Sequence, residues 1–372
     1  MVFSGANERA LIAICRSFAA RRVPCAIVAR PGEDPMRLTK YRTWIATTRG
    51  SDALDLDDML ACVAQLVARH PGQSLTFLPT AESINRLVLE HRDRFEQAGL
   101  RVRLVDADLY VAVSDKARLL ALAEGFGLPA PPSLEAPTPQ TLPLVAKPKT
   151  EFAPDGRKLY PELIFDTAAL QAFQRNADPA LYFFQTYLEG ASYYYLAHFA
   201  ADGTATFAYQ RNLLQQANGK SIIAAELCTC PDLETREKLT ALFRSVNYRG
   251  YAMIETMEID GRHYLIEVNP RFWGPWSLAE RAGFKPEAFA GTCAPLPPGR
   301  QGAGYLWMGG WLMDWGRRRR VRVYPAARAL SWPRRLGLLA QELYLRRDTF
   351  RLFLNEARTA IKLRLANAHS LS

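Results

Sequence analysis

Apolar residues in the N-terminal part of the chain fall into short runs separated by amphipathic stretches. Val2-Phe3, Cys25 to Val28 and Leu75 to Leu78 are apolar enough for buried strands. Glu8 to Arg21, Asp55 to Arg69 and Glu82 to Ala98 instead repeat apolar residues at helical spacing. This alternation predicts a small parallel α/β sheet with helices on its faces over residues 1–108. Gly5 and Asn7 follow the first strand without a G-x-G-x-x-G context and read as a turn and a helix cap. A new helix opens at Ser114-Asp115-Lys116, with Ser114 or Asp115 as its cap, and stops at Gly125-Phe126-Gly127-Leu128-Pro129. The Pro-rich connector Pro131 to Pro143 leads into a strand, Leu144 to Lys147. Further on, Asp166 to Asn176 is predicted helical and Leu181 to Tyr187 extended. Ser192 to Phe199 and Thr204 to Gln210 form a predicted hairpin around Asp202-Gly203, and Leu233 to Val246 a helix with Leu239, Leu242 and Phe243 on one side. From Trp332 to Leu365 a helical stripe runs through Leu336, Leu339, Leu343, Phe350, Leu354, Ala357, Ile361 and Leu365.

Composition adds limits. A chain of 372 residues is too long for one ordinary core, and its 49% hydrophobic and 23% charged content is that of a soluble globular protein. Leu11 to Ile14 is too short for a signal segment, and Ala303 to Trp315 contains Asp314 and is too short to span a bilayer. Cys15, Cys25, Cys62, Cys228, Cys230 and Cys293 lack metal-site spacing and read as free thiols, so a cytoplasmic location is expected.

The net charge of +10 is unevenly placed: from Arg300 onward there are 15 Arg and Lys against 4 Asp and Glu, whereas the residues before it carry 32 basic and 33 acidic. The basic excess therefore belongs to residues 299–372, where Arg317 to Arg320 follow Trp307, Trp311 and Trp315. Residues 317–365 then read either as a peripheral contact to an anionic membrane or as a helix packed on the body with a solvated basic face. Nucleic-acid binding lacks any module signature.

The chemistry concentrates between Glu255 and Glu267. Tyr251 to Ile259 and Arg262 to Val268 read as two strands around the Asp260-Gly261 turn. A two-residue loop would set Glu255 opposite Ile266 and send the carboxylates to opposite faces. A three-residue loop, Ile259-Asp260-Gly261, moves Glu255 opposite Leu265, so that Glu255, Glu267 and Asn269 share a face; an odd loop or a bulge is required. Such an all-oxygen set suits Mg²⁺ bound together with nucleotide phosphates. The bland alternative is a solvated hairpin face, but Glu267 lies within Tyr264-Leu265-Ile266 and Val268, a run expected to be buried on both faces. Arg271 adds a forked donor for phosphate or carboxylate.

Read in order, Ser114-Asp115-Lys116, Lys147-Pro148, Gln185-Thr186-Tyr187-Leu188-Glu189-Gly190, Glu255, and Glu267-Val268-Asn269-Pro270-Arg271 resemble the ATP-grasp superfamily of carboxylate-activating ligases. Arg271-Phe272-Trp273-Gly274 looks most like its carbamoyl-phosphate-synthetase-like and carboxylate-amine ligase members. The resemblance implies an α/β pre-ATP-grasp domain at 1–108, a two-lobed ATP-grasp domain at 109–298 divided at 184/185, and a basic helical extension at 299–372. It implies ATP and Mg²⁺, with Glu255, Glu267 and Asn269 as metal ligands and Lys116 and Lys147 on the phosphates. Gln185, Thr186, Tyr187 and Leu188 would form the adenine hinge and Met257 an adenine floor, unless Met257 is plain core. Gln185 or Glu189 would hold the ribose in place of the carboxylate that the simplest alignment replaces with Ser192. Arg271, Lys147 and Arg211 would serve the transfer itself, with Arg211 and Lys220 flanking the loop Asn212 to Gly219. The loop Pro148 to Tyr160, with the single glycine Gly156, departs from the Gly-rich lid of many relatives. The expected function is phosphorylation of a small-molecule carboxylate by ATP, followed by attack of an amine or similar nucleophile. The alternative is a weakly catalytic nucleotide-binding adaptor docked at a membrane through the basic region.

Overall fold

Short apolar strands satisfy their backbone groups by lying side by side. In the computed structural model, which describes residues 1–149, 153–155, 157, 159–289 and 302–369, β1 (Val2–Phe3), β2 (Ile27–Ala29) and β3 (Ile45–Thr48) pair in parallel. β4 (Leu75–Thr76) and β5 (Leu100–Arg101) form a second parallel pair. Met1 joins the two, its ammonium donating to the Thr76 carbonyl at 2.7 Å and its carbonyl accepting from the Leu78 amide at 2.9 Å. Parallel strands require crossovers, and α1 (Glu8–Arg21), α2 (Leu56–Arg69) and α3 (Glu82–Glu90) lie between them in the chain. Asn7 caps α1 by accepting from the Ala10 amide, and Asp55 caps α2 from the Asp58 amide. Two features differ from the sequence expectation. The helix expected over Glu82 to Ala98 breaks at His91 and resumes at Arg92–Gln97, and β3 and β5 carried no signal, being half-buried and two residues long respectively.

A helix, α4 (Lys116–Glu124), capped by Asp115 through the Arg118 amide, precedes a small sheet of order β6-β9-β7-β8. Its strands are β6 (Ser133–Leu134), β7 (Leu144–Pro148), β8 (Glu162–Ile164) and β9 (Tyr182–Thr186), and α5 (Thr167–Asn176) buries Leu170 and Phe173 against them.

The large sheet is antiparallel, with order β14-β13-β10-β11-β12-β15 and β16 joined to β11. These strands are β10 (Ala191–Phe199), β11 (Ala205–Gln215), β12 (Ile222–Cys228), β13 (Gly250–Ile259), β14 (Arg262–Asn269), β15 (Gly304–Leu306) and β16 (Arg322–Val323). α6 (Leu233–Ser245) buries Leu239, Leu242 and Phe243 with Tyr195, Ala197, Phe199 and Ile254 on one face. Each such side chain contributes about 1.5–3 kcal/mol on leaving water. The opposite face, with Tyr194, Leu196 and Met253, packs with the N-terminal α/β unit.

The basic region is woven into this frame. β15 pairs with β12, and β16 pairs with the end of β11. The stripe expected from Trp332 to Leu365 is interrupted, giving α8 (Trp332–Leu339) and α9 (Phe350–His369), the latter packed along α7 (Met308–Gly316). Between them the buried Glu342 accepts from the amides of Met308, Tyr344 and Leu345, bonds that a continuous helix has no room for. No described helix is long and apolar enough to cross a membrane.

Candidate active site

The hairpin at the sheet edge has a two-residue loop: Asp260 (φ 50°) and Gly261 (φ 77°) are both left-handed, as a type I′ turn demands. Ile259 pairs with Arg262, and a regular ladder would set Glu255 against Ile266. A register shift between Glu255 and Thr256 leaves Ile266 unpaired and puts Glu255 directly opposite Glu267, and Met253 opposite Asn269. The three-residue loop is thereby corrected: parity is restored by a bulge. The expectation that Glu267 is buried on both sides is also corrected, because β14 is the edge strand and Tyr264, Ile266 and Glu267 are half-buried along it.

Two carboxylates directly across a ladder repel, and the surroundings divide their charge. Glu255 is 6% exposed and accepts from Ser192 Oγ at 3.1 Å. Burial first, and then the Glu267 charge, push its carboxyl above the usual range. Burial acts the same way on Glu267, but the charge of Lys116, the hydrogen bond from Asn269 and the charge of Arg271 outweigh it and hold that carboxyl low. Lys116 Nζ lies 3.7 Å from Glu267 Oε2, Asn269 Nδ2 donates to Glu267 Oε1 at 2.8 Å, and Arg271 donates to Asn269 Oδ1 at 2.6 Å.

Facing the pair across a cleft is the small sheet, which contributes Val145, Lys147 and Leu163. Lys147 is 7% exposed, and among the described residues its ammonium has no hydrogen-bond partner. Burial and then the neighbouring Lys116 lower its pKa to about 7. Gln185, Thr186, Tyr187, Leu188 and Met257 line the same cleft. Gln185 Nε2 donates to the Pro131 carbonyl while its Oε1 has no partner among the described residues, and the Thr186 and Tyr187 amides donate to the Pro132 and Pro143 carbonyls. No hydrogen bond from the Leu188 amide is found among the described residues.

Other expected residues fall elsewhere. Arg211 pairs across the ladder with Tyr193, the neighbour of Tyr194, which pairs with Glu255. Strand alternation therefore turns Arg211 to the opposite face, where its Nε donates to Glu226 at 3.2 Å and Arg334 joins from the other side at 2.8 Å. Glu189 is exposed and outside the cleft lining. Ser192 is buried behind the carboxylates, holding Glu255 and accepting from Asn212 Nδ2 at 2.7 Å. Thr150, Glu151, Phe152, Gly156 and Lys158 of the expected lid lie outside the described residues, as does Cys293.

Three residues join the site without having been expected. Arg322 of β16 lines the cleft, donates to the Leu188 carbonyl at 3.1 Å and lies 5.1 Å from the Tyr187 ring. The alternation Arg320-Val321-Arg322-Val323 was its available strand signal. Glu82 of α3 stands 3.8 Å from Arg271 Nε. Arg9 of α1 stacks 4.3 Å from the Trp307 ring and donates to Ser221 Oγ at 2.8 Å and the Ile222 carbonyl at 3.1 Å. A Cβ on Gly274 would meet the Arg9 Cζ at 2.6 Å, so the guanidinium occupies space that only glycine leaves open. Arg9, Glu82, Lys220, Asn269, Arg271 and Trp273 line an adjoining cavity, which shares Tyr194, Lys220 and Glu267 with the cleft.

Comparison with solved structures decides the architecture. The chain aligns with the biotin carboxylase domain of Hydrogenobacter thermophilus 2-oxoglutarate carboxylase, solved with MgADP, ADP and bicarbonate, at TM-score 0.56 and 14% identity over 76% of this chain and 66% of that one. N5-carboxyaminoimidazole ribonucleotide synthetase of Thermus thermophilus aligns at TM-score 0.55 and 14% identity over 79% of each chain. This chain has the ATP-grasp fold. A third ATP-grasp neighbour is Campylobacter jejuni biotin carboxylase, in complex with β,γ-ATP by its description, at TM-score 0.56 and 13% identity over 79% of this chain and 71% of that one. No protein-family model matches the ATP-grasp chain. Among curated proteins it is 33% identical over 118 residues to N-acetyl-gamma-glutamyl-phosphate reductase of Xanthomonas axonopodis pv. citri (strain 306), a match to 32% of this chain that spans only 36% of that protein's length.

Proposed function

We propose that this protein is an ATP- and Mg²⁺-dependent ligase that activates a carboxylate as its acyl phosphate for capture by an amine or similar nucleophile. The observation that carries the reading is one cleft holding Lys116, Lys147, Glu255 and Glu267 at one end and Leu188 at the other, open to a cavity lined by Arg9, Lys220 and Arg271.

The residues suit the groups they would meet. Lys116 pairs with Glu267, but Glu255, forced up in pKa by burial and the charge of the opposed Glu267, has no cation in ion-pair contact among the described residues, and Lys147 has no anion in contact among them. Glu255, Glu267 and Asn269 would hold Mg²⁺, which supplies neutralisation of phosphate charge during transfer. Lys116 and Lys147 would hold phosphate oxygens, Met257 and the hinge would seat the base, and Arg322 would close the hinge from outside. In the adjoining cavity Arg271 and Arg9 would orient the carboxylate. Its oxygen attacks the γ-phosphorus, the bond to the ADP oxygen breaks, and the amine lone pair then displaces phosphate from the acyl carbon with loss of a proton. Lys220 stands at the junction, and its pKa is lowered by burial and then by Arg319 and Arg317, so cations rim the entrance and favour an anionic substrate.

The match to a reductase does not favour hydride transfer, since no dinucleotide fingerprint follows β1. The adaptor alternative rests on the glycine-poor lid and the localised basic charge, neither of which accounts for the residues gathered in the cleft. Incubation with ATP, Mg²⁺ and a panel of carboxylates and amines is expected to release ADP. Silence across the panel together with absent nucleotide binding by calorimetry overturns the proposal.

A further inference from the structure

α9 presents three stripes. At about 100° per residue, Leu352 and Ala360 fall on the side turned to the body, where both are buried. The next stripe is Phe350, Leu354 and Ile361, which are 46%, 36% and 51% exposed. Beyond it lie Arg351, Arg358 and Lys362, all exposed. The apolar stripe continues onto α7, where Trp311 and Trp315, one turn apart, are exposed and the Arg364 guanidinium of α9 lies 5.2 Å from the Trp315 ring. Arg317 to Arg320 follow directly and are exposed. α8 buries none of its residues and shows Trp332, Leu336 and Leu339 to solvent.

Charge selects what covers this face. The acidic side chains of the same region all turn inward: Asp314 accepts from the Ala217 amide, Glu342 caps backbone amides, Asp348 pairs with Arg16, and Glu356 accepts from Trp307 Nε1. Outward, the region is cationic and apolar. A second copy would bring the same positive charge against it, whereas Trp and Phe beside Arg and Lys fit the headgroup level of a negatively charged bilayer.

We propose that the outer face of α9, with Trp311 and Trp315 of α7, docks in the plane of an anionic lipid surface. The test is flotation of the full chain with phosphatidylcholine vesicles with and without phosphatidylglycerol. Binding is expected only with the anionic lipid. Leu354→Ser with Ile361→Ser, and separately Trp311→Ser with Trp315→Ser, are expected to cut partitioning at least ~10-fold. Arg351→Gln, Arg358→Gln and Lys362→Gln together should do the same, with nucleotide binding retained in every variant as the check on folding. The proposal is overturned by equal binding to both vesicle types, by salt-sensitive binding indifferent to the apolar changes, by self-association that those changes abolish, or by tighter binding to duplex DNA than to vesicles.

Discussion

A buried ammonium without a carboxylate in contact among the described residues makes Lys147 the most informative single side chain. Its folded pKa of about 7 lies below the ordinary 10.5. Its stability contribution is therefore fully present above the unfolded value and is lost as pH falls through about 7. Phosphate beside it would raise the pKa again, so nucleotide binding near pH 8 should take up a proton. Calorimetry in buffers of different ionisation enthalpy should show that uptake in the wild type and its loss in Lys147→Met. Glu255→Gln removes one of two opposed carboxylates. It should leave the melting temperature of the metal-free protein unchanged or higher while weakening Mg²⁺-dependent nucleotide binding at least ~10-fold. At Gly274 an alanine would displace the flexible end of Arg9 without touching backbone. The variant is expected to fold and bind ATP normally but to raise the KM for the carboxylate about 10-fold or more; an unchanged KM would remove Arg9 from the substrate's path.

At the scale of elements, the bulge at Ile266 and the strands drawn from the basic region do the positioning. Carboxylates at an even offset across a two-residue turn reach one face only because one strand carries an extra residue. β16 matters in the same way, since its two residues pair with Leu214 and Gln215 and bring Arg322 to the hinge. Removal of residues 317–372 is therefore expected to weaken nucleotide binding and lower the melting temperature, where a detachable tail would leave both unchanged. Arg322→Ala should by itself cost about 10-fold in nucleotide affinity, by loss of the contact to Leu188 and the cover over Tyr187.

Across the whole molecule, the N-terminal α/β unit and the C-terminal region are clamped together around Asp348. Its carboxylate accepts from Arg16 Nε at 2.7 Å and Tyr41 Oη at 3.0 Å, and its carbonyl accepts from the Lys40 amide at 2.8 Å. Burial alone would raise the Asp348 pKa, but the bond and charge of Arg16 hold it below the ordinary value. Stability from this pair is thus present above the unfolded pKa and is lost as pH falls through the folded one. Asp348→Ala should destabilise by about 3 kcal/mol near neutrality, with a smaller penalty in acid, as denaturant titrations at the two pH values would read.

Much was legible along the chain because it depends on local chemistry. The extents of α1 and α6, a cap at Ser114 or Asp115, the strand through Lys147 and the ordered motifs that resemble ATP-grasp ligases follow from periodicity, capping and turn residues, which act over a few neighbours; packing decided for Asp115 and carried the strand to Pro148. The outer stripe of α9 was also visible as a period, but not its direction. A repeat at helical spacing says that residues share a side; only packing decides that Leu352 and Ala360 face the body while Leu354 and Ile361 face out. Tertiary structure alone turned Arg211 away from the cleft, replaced a longer loop by a bulge, and brought Arg9, Glu82 and Arg322 to a site assembled from distant segments. Those outcomes depend on register and on contacts between residues far apart in the chain, which no local pattern encodes.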